Sequence, residues 1–237
     1  MKALTLTKAE KTRIRELVAH YTLNRETFDT FLQGLRAQVL GSRRLRPFLH
    51  SLNWRSKDPR HLNDKLRRKF LEARKRGRPL AITKQNLFLK INDLAGLRLL
   101  HLHTRQFEAI NQGLRELFKE ESYRVIEGPT ARTWDDESRA FFAKLKVSTQ
   151  RSPSLYTSVH YVIRPNVRYT CEIQVRTLME EVWGEVDHIV NYPHRTNSVA
   201  CREQIAALAR ATSTCSRLVD SIFRSHEIHT ARQRRKR

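Results

Sequence analysis

Glu172 and Gln174 stand two residues apart in the segment CEIQV, and Asp93 stands in INDLAGLRLL. A carboxylate in such a place can take a proton from a hydroxyl or hold a hard cation. Strand alternation puts Arg168, Thr170, Glu172 and Gln174 on one face, and Tyr169, Cys171, Ile173 and Val175 on the other. In the run YTSVHYVI just before, Tyr156, Ser158 and His160 share a face. If the polar faces coincide, Tyr, His, Glu and Gln form one patch, a mixture that suits a site better than a core. An ordinary solvated strand face would show the same alternation. Asp93 precedes an apolar strand, where it fits magnesium held by carboxylate and substrate phosphate oxygens; an Asn-Asp turn is the other reading.

Cations complete the set. Residues 54–79 hold eleven Lys or Arg and three acids. Arg55 and Lys57 precede a helix opened by Pro59, and Lys65 follows two turns on. Cations beside free helix N–H groups suit a polyphosphate, whereas Arg67, Arg68, Arg74 and Arg76 read as a solvated face. No P-loop, kinase signature, nucleophile elbow or dinucleotide fingerprint is present. His101-x-His103 and Glu185-x-x-His188 are weak metal pairs and are set aside.

These residues need elements to position them. Thr7 and Glu10 read as a capping box, and helices are expected over 8–20 and 24–40. A third helix should run from Pro59 through Leu71 and end before Gly77 and Pro79. LFLKINDLAGLRLLHLH reads as strand, 106–120 as an amphipathic helix, and YRVIEG as a short strand. TARTWDDESRAFFAKLKVSTQRSPS reads as a loop region with a short helix. YTSVHYVI and RYTCEIQV flank the turn RPNV as an antiparallel hairpin. Helix 177–191 shows Met179, Val182, Trp183, Val186, Ile189 and Val190 on one face, and a further helix follows from 199 to 226. The expectation is an α+β fold, a mixed sheet of about five strands flanked by helices. Its parts are an N-terminal helical segment (1–48), the main domain (49–195), a C-terminal helix (196–228) and a disordered basic tail (229–237).

The 237 residues are 39% hydrophobic and 8% aromatic, enough for a packed core rather than disorder. Lys and Arg number 46 against 24 acids, a formal charge of +22. Such an excess predicts polyanion partners: nucleotide phosphates, nucleic acid or an anionic membrane surface. Cys171, Cys201 and Cys215 have neither disulfide-framework nor zinc spacing. The N-terminal MKALTLTKAEKTRIRELV has no long apolar run, so neither a leader nor a membrane span is expected, and the protein reads as cytoplasmic.

Four motifs occur in order: WRSKDPRHLNDKL, DLAGLRLL, YTSVHYVI and EIQVRTLMEEVWGEVDH. Over roughly residues 50–195 the set resembles the RelA/SpoT nucleotidyltransferase domain, in particular the small alarmone synthetases. The resemblance implies transfer of pyrophosphate from ATP to the 3′-hydroxyl of GDP or GTP, giving ppGpp or pppGpp, with Mg2+ as cofactor. It implies that Asp93 holds the metal and that Glu172 engages the acceptor hydroxyl and helps with the metal. Arg55 and Arg98 would sandwich the adenine of ATP, and Lys57 and Lys65 would hold its phosphates. Tyr156 would stack on the acceptor base, with His160 and Gln174 beside it. Glu181, one turn into the last motif's helix, departs from the family, which often has Asn or His there near the acceptor base; a carboxylate at that place would accept from guanine N1–H and N2–H2. Relatives of this kind also assemble with copies of themselves.

The pattern departs at two further positions. Leu155 and Thr157 stand where the family has Gly before the stacking Tyr and Lys or Arg after it. Three readings therefore stand open. The first is a synthetase of free nucleotides that synthesises without hydrolysing. The second is a relative that pyrophosphorylates the 3′-CCA end of tRNA, using the basic surface. The third is an inactive RNA-binding module.

Overall fold

The computed structural model describes residues 5–152, 154–191 and 195–235. Six strands form one mixed sheet in the order β1-β2-β6-β5-β3-β4. They are β1 (Ser51–Ser56), β2 (Ala95–His101), β3 (Arg124–Thr133), β4 (Ser148–Arg151), β5 (Ser158–Arg164) and β6 (Cys171–Thr177). β2 runs parallel to β6 and β3 parallel to β4; the other neighbours are antiparallel. Mixed order and flanking helices agree with the expected α+β class.

One sheet face is apolar. Leu97, Leu99, Tyr161, Ile163, Ile173 and Val175 point there, into a single core. Helix α2 (Arg25–Gly41) contributes Phe28, Leu32 and Leu35, and α5 (Gln106–Glu120) contributes Phe107, Ile110 and Leu114. Helix α1 (Lys8–Leu23) opens on the expected capping box: the Thr7 hydroxyl accepts from Glu10 N, and the Glu10 carboxylate accepts from Thr7 N. Helix α3 (Pro59–Lys75) begins with Pro at its first turn, behind an Asp58 cap that accepts from Arg60 N at 2.7 Å.

Several expectations change. The run LFLK is not strand but the short helix α4 (Leu87–Lys90). Leu87 and Ile91 are both fully buried at helical spacing, so the apolar run bends into the core before β2 begins. β3 passes beyond YRVIEG through a cis Gly128-Pro129 bond into the supposed loop. That loop region also forms α6 (Asp136–Lys144), capped by Asp135, and the edge strand β4. Helix α8 (Val199–Arg234) continues over the stretch read as a disordered tail, since no Gly or Pro stops it; residues 236 and 237 lie outside the described residues.

Helix α7 (Leu178–Asn191) holds the largest surprise. Of its apolar face, Trp183 is buried, but Val182, Val186 and Ile189 are exposed. The helix turns Glu181 and Gly184 inward instead. The reason is the surface beneath it: α7 covers the polar sheet face, where carboxylate and guanidinium groups make the contacts. α7 is pinned to α8 by a small cluster of Trp183, Ile205 and Ala209, and by the Trp183 indole donating to Ile205 O at 3.0 Å. Farther along, Asp220 of α8 accepts from Arg105 N and lies 2.6 Å from His103 Nδ1, while His101 Nδ1 lies 3.0 Å from His103 O. The His-x-His pair therefore docks a helix. Among the described residues no helix is long and apolar enough to cross a membrane.

Candidate active site

Strand registry assembles the polar face. Asn53 pairs with Arg98, Arg98 with Gln174, and Gln174 with His160, so four strands place these side chains in one row. One step along lie Arg55, Gly96 and Glu172. Two adjoining cavities open over this face. The larger, of about 600 Å³, is lined by Arg55, Lys57, Asp93, Arg98, Glu172 and Gln174, among others. The smaller, of about 270 Å³, carries Tyr156, Arg176, Trp183 and Asp187, and shares Arg55, Arg98, Gln174 and Glu185 with the first.

Asp93 sits between two ammonium groups, Lys57 Nζ at 2.9 Å and Lys65 Nζ at 2.8 Å. Burial pushes its carboxyl up, but the two lysines outweigh that and hold it below the ordinary aspartate value. The turn that presents it is fixed by its neighbour: Asn92 Oδ1 accepts from the Thr170 hydroxyl at 3.0 Å. Lys57 is itself anchored by backbone, its N–H donating to Leu94 O at 2.9 Å and its carbonyl accepting from the Tyr21 hydroxyl at 2.7 Å.

Glu172 is equally well held. His160 Nδ1 lies 3.0 Å from Oε1, and Gln174 Nε2 donates to Oε2 at 2.9 Å. Burial raises its carboxyl, whereas His160 and Gln174 lower it, and the net position is below the ordinary glutamate value. His160 is buried, and among the described residues its Nε2 has no hydrogen-bond partner. The Tyr156 hydroxyl donates to Gln174 Oε1 at 3.4 Å, and burial holds its phenol above the usual value, so the ring is a neutral platform.

The two carboxylates also feel each other, since the charge of Asp93 works to raise Glu172. Among the described residues no cluster of three or more His, Cys, Asp or Glu could hold a metal. Two hard oxygen donors in this cation-lined cleft nonetheless suit a divalent ion such as magnesium, which keeps waters and takes substrate phosphates to complete its shell.

The predicted residues therefore converge, with one difference. Glu181 lines the larger cavity, but its carboxylate already has protein partners. It is buried, accepts from Arg98 Nη1 at 2.8 Å and Asn53 Nδ2 at 3.2 Å, and forms an ion pair with Arg176. Its carboxylate is thus engaged by neighbouring protein groups rather than free for guanine. Arg98 bonds Glu185 as well, at 2.7 Å. Arg176, Asn53 and Gly184 were missed by sequence reasoning. Parity could have found Arg176, which lies two steps beyond Gln174 on the same face.

The two further departures also have a structure. Leu155 adopts φ 61°, a left-handed conformation that glycine takes freely and leucine does not. Thr157 is buried, with its hydroxyl 3.0 Å from that of Thr133, so position 157 faces the interior.

The model of the region found in RelA / SpoT proteins matches residues 54–197. Among solved structures, the fold resembles small alarmone synthetase 1 from Bacillus subtilis, with a TM-score of 0.60 and 19% identity over 84% of this chain and 94% of that one. The same synthetase bound to its product pppGpp gives 0.57 and 21%, covering 84% and 93%. A GTP pyrophosphokinase family protein from Streptococcus pneumoniae gives 0.57 and 20%, covering 92% and 95%. At these identities the likeness speaks to the fold. No curated protein is similar enough in sequence to match the chain.

Proposed function

The chain belongs to the RelA/SpoT family, and from that premise we propose that it is a cytoplasmic (p)ppGpp synthetase that moves pyrophosphate from ATP to the 3′-hydroxyl of GDP or GTP. One observation carries the reading. Two ionised carboxylates, Asp93 and Glu172, line one cleft with Lys57, Arg55, Arg98 and Gln174, while Tyr156 lines the adjoining cavity and His160 lies 3.0 Å from Glu172. Transfer of this type needs positioning and charge neutralisation more than covalent help.

Lys57 and Lys65 hold the triphosphate, and Arg55 and Arg98 clamp the adenine by their guanidinium planes. Tyr156 carries the acceptor base, with His160 and Gln174 lining its ribose side. The 3′-oxygen attacks the β-phosphorus of ATP. A new O–P bond forms, the bond to the α,β-bridging oxygen breaks, AMP leaves, and the hydroxyl proton goes to Glu172. Asp93, with Glu172, would hold Mg2+, which when bound supplies positive charge to the ATP phosphates.

The reading is of synthesis alone, and breakdown of ppGpp by the pure protein would overturn that part. A tRNA 3′ end is the alternative acceptor, favoured by the +22 charge and by the absence of a cation at the interior-facing Thr157. The deciding experiment is chromatography of γ-labelled ATP with magnesium and GDP, GTP or deacylated tRNA, beside Glu172→Gln. Labelled ppGpp or pppGpp, absent in the variant, supports the proposal. Label on tRNA alone replaces it, and no transfer to any acceptor overturns it.

A further inference from the structure

We propose that Arg176 is a positioning residue that couples the acceptor platform, Tyr156, to the donor clamp, Arg98, through Glu181. The inference deepens the pyrophosphate-transfer reading and rests on it.

Arg176 lies on β6 with Leu100 of β2 as its register partner, on the face that carries Glu172 and Gln174. Its side chain is 3% exposed. A guanidinium this deep needs a counter-charge, and Glu181 supplies it. Glu185 stands farther off, at 3.9 Å. The Arg176 Cζ also stands 5.8 Å from the Tyr156 ring centroid, within reach of the ring quadrupole. On its remaining side α7 comes very close: a Cβ at Gly184 would lie 2.6 Å from Arg176 Nη1. The guanidinium is thus gripped between a ring, a carboxylate and a helix backbone.

Glu181 passes the constraint on. One carboxylate serves both arginines, taking Arg176 and, at 2.8 Å, Arg98. Asn53 adds a third bond at 3.2 Å. The chain Tyr156, Arg176, Glu181, Arg98 is continuous across the boundary between the two cavities. A planar fork can face a ring and a carboxylate together, which a single ammonium cannot do. A nucleotide that orders Tyr156 therefore also orders Arg98, and the reverse holds by linkage.

The test measures binding of a non-hydrolysable ATP analogue and of GDP by calorimetry, each alone and each with the other present. It then measures kcat and both KM values, for wild type, Arg176→Lys, Glu181→Gln and the double variant. In wild type each nucleotide should tighten the other. Each single variant should remove that coupling and raise both KM values by roughly tenfold, and the double should be no worse than the worse single. Thermal melting and the fraction of active sites are read in parallel. If the variants only melt earlier or lose active fraction, while the surviving molecules keep wild-type KM values and coupling, the role is structural and the inference fails. It fails too if wild type shows no coupling, or if only the acceptor KM moves, which would make Arg176 an acceptor contact. A wild type that binds both nucleotides with coupling but transfers no label would instead overturn the functional reading.

Discussion

His160 Nδ1 lies 3.0 Å from Glu172 Oε1, across the β5–β6 pairing. His160 is in register with Gln174, so its ring reaches Glu172 on the diagonal while Gln174 holds the other carboxylate oxygen. One oxygen of the proposed base is aimed from the neighbouring strand β5 and the other from its own strand β6, neither from a loop. Burial alone would leave Glu172 easier to protonate; the hydrogen bonds reverse that, and it stays ionised at neutral pH. Glu172→Gln should lower kcat by about 10²–10⁴-fold while nucleotide binding, read by calorimetry, survives.

The same pair sets an acid limit. A carboxyl whose folded value is depressed keeps its charge until the pH falls through that value, so Glu172 should impose no loss of kcat/KM between about pH 6 and 8. His160→Asn removes the largest lowering influence. The acid limb of the pH–rate profile should then move upward, toward the ordinary glutamate range. A profile that does not move would mean that His160 does not hold the charge of Glu172.

Asp93 is claimed by two lysines that are also read as phosphate ligands. On the proposed roles, the oxygens of Asp93 would be screened until a triphosphate draws the ammonium groups away. Mn2+ titrated into the nucleotide-free protein should bind weakly, and an ATP analogue should tighten it at least about tenfold. Equal Mn2+ affinity in both conditions, by electron paramagnetic resonance, would exclude this arrangement.

Gly184 leaves room for a guanidinium. Gly184→Ala would set its Cβ 2.6 Å from Arg176 Nη1, and Arg176, being buried, has little room to yield. The expected cost is about 1–3 kcal/mol of stability, with both KM values rising. Calorimetric unfolding and steady-state kinetics read the two effects apart.

Glu180 faces inward at the start of α7, where burial pushes its carboxyl up to about 7 although the Thr177 N–H and hydroxyl both donate to it. A raised acid favours the folded state when protonated. Its contribution is therefore present below the unfolded value near 4.5, falls as pH rises toward 7, and stays lost above that. Glu180→Gln should gain stability relative to wild type across that window, by on the order of 2–3 kcal/mol. Chemical denaturation at several pH values measures the difference; a difference independent of pH would refute it.

Much of this was legible in the chain itself. Strand parity alone put Glu172 and Gln174 together, the hairpin added Tyr156 and His160, and the order of four motifs pointed to the family. These are local facts, because alternation and turn chemistry act over a few residues. The tertiary structure decided what depends on the surface a segment meets. The apolar pattern of α7 predicted a core face, yet the helix lies on a polar sheet, so Glu181 and Gly184 turn inward and Val182, Val186 and Ile189 outward. Glu181 looked free to read a base, but two arginines from separate strands, Arg98 and Arg176, converge on its carboxylate. Periodicity states which residues share a face; only packing against the rest of the chain states what that face will touch.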